Sequence, residues 1–120
     1  MKILDCTLRD GGYYNNWDFD HELVNLYLKS MGDASIDVIE IGFRSPPKKS
    51  FMGPYVYSLD DQLESLPFPK DILIGVMINA KEYLTASEGP VEMIKKLFYP
   101  SEKSPVGLVR IAINFDQVQD

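Results

Sequence analysis

An arginine followed directly by an aspartate and two glycines, Arg9-Asp10-Gly11-Gly12, closes the first apolar run of this chain and is its most chemically suggestive feature. Arg9 supplies a planar, permanently charged donor fork suited to a carboxylate or to a developing enolate oxygen. Asp10 can offer a carboxylate oxygen to a hard divalent cation. The glycines let the backbone turn sharply and leave room for a ligand beside it. Two tyrosines follow, Tyr13 and Tyr14. Glu40 and Arg110 interrupt otherwise apolar runs, and Arg44, Lys48 and Lys49 bring basic charge into a long connection that also holds aromatic residues. That connection, residues 44–57, reads in two ways. It is either a lid whose Arg44, Lys48 and Lys49 clamp a carboxylate or phosphate, or a surface loop whose aromatics pack elsewhere. The lone histidine, His21, falls at the start of a helical pattern and is expected at the surface. Cys6 lies among apolar residues and is expected to be a packed thiol.

These groups need a folded frame, and 120 residues with 45% hydrophobic and 25% charged side chains are enough for one globular domain. The net charge of −6 argues against a nucleic-acid binder, which needs a basic face. A small anionic substrate remains compatible, because a local basic pocket can sit on an acidic protein. One cysteine excludes an internal disulfide framework and fits a reducing compartment. The N-terminal stretch lacks the pattern of a secretory leader, and no run approaches the ~18 apolar residues of a membrane span. A cytoplasmic location is expected.

Four strand-length apolar runs stand out, at residues 3–8, 37–43, 72–79 and 108–115. Helical patterns lie between them. In the first, Leu23, Leu26, Tyr27 and Met31 share one face, with Asp20 as N-cap, Phe19 and Val24 as a hydrophobic staple and Gly32 as the stop. A short second helix is expected at 59–66, capped by Ser58 and ended by Pro67. Two further pieces are expected at 80–84 and 91–98, the latter led by Pro90. Strand–helix alternation with near-continuous apolar strands implies a parallel sheet covered by helices. A doubly wound open sheet and the first half of a (β/α)8 barrel both fit, the complete barrel needing ~250 residues.

Strand parity separates the two. Asp5, Thr7 and Arg9 oppose Leu4, Cys6 and Leu8; Glu40 opposes Ile39, Ile41 and Phe43; Arg110 opposes Val109, Ile111, Ile113 and Phe115. A barrel gives such charges a lumen in which to meet, so Glu40 and Arg110, or Asp5 and Arg110, become natural partners. The fold expected is therefore α/β, the N-terminal half of a (β/α)8 TIM barrel with about four parallel strands and intervening helices, spanning 1–120. Asp120 follows the fourth run closely, so the chain is expected to be a piece of a longer protein.

The segment Thr7-Leu8-Arg9-Asp10-Gly11 resembles the first-strand motif of the metallolyases related to 3-hydroxy-3-methylglutaryl-CoA lyase, the DRE-TIM group. Val38-Ile39-Glu40-Ile41-Gly42-Phe43 resembles that family's second strand, and Val109-Arg110-Ile111-Ala112 the fourth-strand segment of its 4-hydroxy-2-oxovalerate aldolase-like branch. The resemblance implies a divalent metal, Mn²⁺ or Mg²⁺, and aldol or Claisen-type chemistry through an enolate on a 2-oxo acid or related carbonyl compound. It implies Asp10 as a metal ligand, Arg9 as the stabiliser of the enolate or carbonyl oxygen and Glu40 as a support to the metal. Arg44, from the basic connection, and Arg110, from the fourth run, are expected to bind substrate. Two departures accompany it. Tyr13 and Tyr14 stand near the position where the aldolases carry a histidine base, so either could be the proton carrier, with Tyr13 the residue assigned to the site. No His-x-His pair is present, so the complete metal site lies outside this chain, which alone is expected to be inactive. Three readings stand: a metal-dependent lyase, a catalytically retired barrel serving as a binding or assembly module, and a small flavodoxin-like domain binding an anion. Neither nucleic acid nor membrane is an expected partner. With open strand edges, self-association or pairing with the missing half of the barrel is expected.

Overall fold

The computed structural model describes residues 1–118. The expectation about Asp120 therefore lies outside the described residues. Four strands, β1 (Leu4–Asp5), β2 (Val38–Phe43), β3 (Leu73–Asn79) and β4 (Val106–Ala112), form one parallel sheet in the order β1-β2-β3-β4. A doubly wound sheet would reverse its strand order at a switch point. This one advances strand by strand, as a barrel does.

The helices are α1 (Thr7–Gly11), α2 (His21–Asp33), α3 (Asp60–Glu64), α4 (Ala80–Leu84) and α5 (Pro90–Leu97). The first departs from expectation. The apolar run at 3–8 does not continue as a strand, because the Asp5 carboxylate accepts from Thr7 N (3.0 Å) and Thr7 Oγ1 (3.0 Å) and turns the chain. Arg9 and Asp10 thus sit on one helical turn, and the strand parity assigned to Thr7 and Arg9 does not apply. Cys6, at the bend, is half-buried rather than packed on a strand face.

In α2, Asp20 caps as expected, accepting from Glu22 N (2.9 Å) and Leu23 N (3.2 Å). The buried face is rotated by one position: Val24 and Leu28 are fully buried with Tyr27 and Met31 beside them, while Leu23 and Leu26 are exposed. Each fully buried aliphatic side chain of this kind contributes roughly 1.5–3 kcal/mol. The stop is not Gly32. The helix ends in a Schellman arrangement with Ser35 left-handed (φ 56°), Ile36 N donating to Met31 O (3.1 Å) and Ser35 N to Gly32 O (3.0 Å). Nor does Ser58 cap α3; Leu59 holds that position, and Ser58 Oγ donates to Tyr55 O.

The main core joins Leu8, Val24, Leu28, Ile39, Ile41, Leu63 and Val76 between sheet and helices; a smaller one holds Ile78, Tyr83 and Met93. The pairing of β2 with β3 shifts between Glu40 and Gly42. Glu40 pairs with Gly75, whereas Phe43 pairs with Met77 and Met77 with Arg110, so Phe43 comes to the same side as Glu40 and Arg110. Strict alternation placed Phe43 on the opposite face, and the extra residue overturns it. β1 and β4 form the edges, and beside β4 the side chains of Val109, Ile111 and Ile113 are exposed.

Candidate functional site

Glu40 is the electrostatic centre of the site. It is fully buried, and its carboxylate accepts from Arg110 Nε (2.5 Å) and Nη2 (2.8 Å) and from Arg9 Nε (2.8 Å). Burial pushes its pKa up, but the bonds from the two guanidiniums outweigh burial and hold it below the usual carboxylate range. Its contribution to stability is present above the unfolded-state value and is lost as pH falls through the lowered folded one. The Glu40–Arg110 partnership legible from strand parity is thus formed, while Asp5 is used otherwise. Asp5 holds Thr7 and accepts from Tyr27 Oη (2.5 Å), and burial together with that carboxylate raises Tyr27 well above the ordinary phenol range, keeping it a donor.

Arg9 reaches forward as well as back. Its Nη1 donates to Asp10 Oδ1 (3.1 Å), and its guanidinium carbon lies 5.9 Å from the centre of the Phe43 ring. Among the described residues its Nη2 makes no hydrogen bond, so part of the donor fork remains unspent. Asp10 is 71% exposed, against 14% for Arg9. The pair projects together from the turn after β1, at the end of the sheet where β1, β2 and β3 finish. In parallel α/β architectures that end carries the ligand.

Trp17, the only tryptophan of this chain, fixes this turn in place. Its Nε1 donates to Arg9 O (2.8 Å), and its backbone is left-handed (φ 57°), following Asn16 in the same region. The indole lies so close over Gly12 that a Cβ there would meet Trp17 Cδ1 at 2.0 Å. Gly11 and Gly12 both have ordinary right-handed φ values, so the glycine at position 12 serves ring packing rather than a sharp turn. Trp17→Phe keeps the ring but removes the donor. It should cost about 1 kcal/mol in urea unfolding; an unchanged midpoint would show that the indole N–H holds nothing.

A cleft of about 240 Å³ opens beside this turn. One wall is aromatic: Tyr13 and Trp17 are 4.7 Å apart, Trp17 and Phe43 5.5 Å, Tyr13 and Phe43 6.3 Å between ring centres, all edge-to-face. Facing it are Ser45, Lys48, Asn79 and Glu82. Tyr13 therefore stands at the cleft, whereas Tyr14 is almost fully exposed and does not line it. Glu82 and Asn79 carried no sequence motif; only their place at and just after the end of β3 marks them.

The basic connection is not a free clamp. Arg44 is completely buried: Nε and Nη2 donate to Ser58 O (3.0 and 2.6 Å), Nη1 to Leu97 O (2.7 Å) and Nη2 to Asp60 Oδ1 (2.9 Å). With its guanidinium 4.5 Å from the Phe98 ring centre as well, it is a strut between loops and cannot bind substrate. Lys49 is exposed and lines no part of the cleft, while Lys48 does. The connection packs on the turn after β1, Gly53 N donating to Asn16 O (2.7 Å); a Cβ at Gly53 would meet Trp17 O at 2.2 Å. His21 is exposed at the start of α2.

Among the described residues no group of three or more His, Cys, Asp or Glu side chains converges as a metal ion requires. Both Glu40 oxygens are taken by guanidiniums, so Glu40 anchors Arg9 and Arg110 and is not a ligand. The residues present do not make a metal site by themselves; among the described residues Asp10 Oδ2 makes no hydrogen bond. No helix among the described residues is long and apolar enough to cross a membrane.

Fold and site together define an α/β half-barrel with a charged, aromatic-walled site at the ends of its strands. The chain is similar to a solved structure described as the "N-terminal domain of a putative aldolase from Bacteroides vulgatus", with 36% identity and a TM-score of 0.76 over 99% of the present chain. It covers 38% of that structure's chain, so it corresponds to well under half of it. The four parallel strands and their helices are those of the N-terminal half of an aldolase-type barrel. The chain matches no protein-family model and none of the curated proteins with which it was compared.

Proposed function

We propose that the whole protein is an aldolase-class carbon–carbon lyase, related to the 4-hydroxy-2-oxovalerate aldolases, acting through an enolate on a 2-oxo acid or related carbonyl compound. The observation that carries this is the pairing of Arg9 and Asp10 at the open end of the sheet, with Arg9 tethered from behind by Glu40. An arginine held at its Nε with Nη2 unspent is preorganised to stabilise negative charge developing on a substrate oxygen. Arg110, bonded to the same carboxylate, adds positive potential to that end. Tyr13, which lines the cleft, would move a proton at its phenolic oxygen. Dependence on Mn²⁺ or Mg²⁺ belongs to the proposal, with Asp10 as one ligand and the rest supplied from outside the described residues. So do a cytoplasmic location and the covering of the exposed β4 side chains by the rest of the barrel or by another copy.

In the full-length protein, Asp10→Asn should weaken Mn²⁺ binding by about tenfold or more. Calorimetry reads the metal, and pyruvate release from 4-hydroxy-2-oxovalerate should fall with it. Retention of both would remove Asp10 from the site. The incomplete metal site and Tyr13 in place of a histidine favour a second reading, a catalytically retired barrel serving as a binding or assembly module; wild-type protein that binds Mn²⁺ and releases no pyruvate would support it.

A further inference from the structure

We infer that the cleft beside Arg9 is the subsite for an uncharged, polyhydroxylated tail of the carbonyl compound. The inference rests on the proposed reaction for where the carbonyl end lies and adds what the other end must be. Charge decides first. Lys48 Nζ donates to Glu82 Oε1, and the two side chains are only 28% and 26% exposed. A cation already bonded to a carboxylate offers little to a second anion, and the carboxylate little to a second cation. A tail ending in phosphate or carboxylate would compete with Glu82 for Lys48, and one ending in ammonium would compete with Lys48 for Glu82.

Neutral hydrogen-bonding capacity is what remains. Among the described residues, Glu82 Oε2 is buried without a protein donor. Asn79 Oδ1 accepts from Lys81 N (3.1 Å) at the start of α4, and among the described residues its Nδ2 has no protein acceptor. Ser45 adds a hydroxyl to the same cleft. An acceptor, a donor and a group that is both complement a run of hydroxyls, each of which donates and accepts. Opposite them the Tyr13, Trp17 and Phe43 rings present an apolar surface to the C–H side of such a tail. A site that leaves a buried oxygen unpaired discriminates against the analogue lacking the matching hydroxyl.

Binding of two 4-hydroxy-2-oxo acids to the full-length protein tests this by calorimetry: 2-oxo-3-deoxygluconate, with further tail hydroxyls, and 4-hydroxy-2-oxovalerate, without them. The first should bind about tenfold tighter or more. Glu82→Leu should bring the two within about twofold. Asn79→Asp, which keeps the oxygen at the start of α4 and removes the amide donor, should shrink the preference as well. Equal affinities in the wild type, or a preference that survives Glu82→Leu, overturn the assignment. Erythritol and butane-1,4-diol separate the subsite from the reaction, since neither has the reacting carbonyl. Binding of erythritol alone, read by tryptophan fluorescence, supports the subsite even if neither oxo acid binds and the lyase reading falls; equal binding of the two, or none, counts against the subsite.

Discussion

Glu40→Leu is expected to lower the free energy of unfolding by about 3 kcal/mol, the lower end of the range for breaking a buried ion pair. The buried carboxylate receives three N–H bonds from two guanidiniums. Leucine leaves Arg9, only 14% exposed, with the solvated Asp10 as its sole counter-charge. Arg110 is 42% exposed and can recover water, which is why the upper end is not expected. Urea unfolding near pH 7 measures the effect, and a loss below about 1 kcal/mol would mean that Glu40 anchors neither arginine. On the proposed lyase reaction, the same change in the full-length protein should depress kcat by about 10²-fold or more, because Arg9 would lose its backstop and displacement of about 1 Å carries a cost of that order.

Arg44→Met should be more damaging, at about 3–5 kcal/mol, because Asp60 and Ser58 are too buried to rehydrate. Methionine fills similar space but leaves Asp60 almost inaccessible to water, and leaves Ser58 O and Leu97 O without their donor. Burial alone pushes the Asp60 pKa up; in the wild type the Arg44 bond, with those from Tyr99 N and Ser104 Oγ, outweighs burial and lowers it. Asp60 therefore stabilises the wild type above its unfolded-state pKa, and that contribution is lost as pH falls through the lowered folded value. In the variant the folded pKa must lie higher than in the wild type. The stability difference between the two proteins should narrow on acidification, and a difference that stays constant from neutral pH down through the carboxylate range would show that the Arg44–Asp60 charge pair is not its source.

How much of this was legible in the sequence depends on the range over which each feature is decided. Asp20 as a cap and the Glu40–Arg110 pairing rest on local chemistry and strand parity, and both are formed. The Arg9-Asp10 pair was visible as residues but not as a helical turn, because two local bonds donated by Thr7 to the Asp5 carboxylate override the apolar run. In α2 two overlapping stripes were available, and packing against the sheet selected Val24 and Leu28 over Leu23 and Leu26. Arg44 looked like a ligand-binding cation because its counter-ion lies 16 residues away, across a fold that sequence spacing does not describe. The Lys48–Glu82 pair, 34 residues apart, escaped for the same reason.

The register shift in β2 makes an irregularity of the backbone itself part of the site. In a regular strand, residues three apart point to opposite sides. Here Glu40 and Phe43 serve one side, a carboxylate bracing the arginines and a ring walling the cleft. Straightening the strand with every residue kept would preserve all the side chains, yet turn the ring toward the helices and leave the arginine without its aromatic neighbour. Inheritance of this site thus requires conserving a kink as well as a set of amino acids.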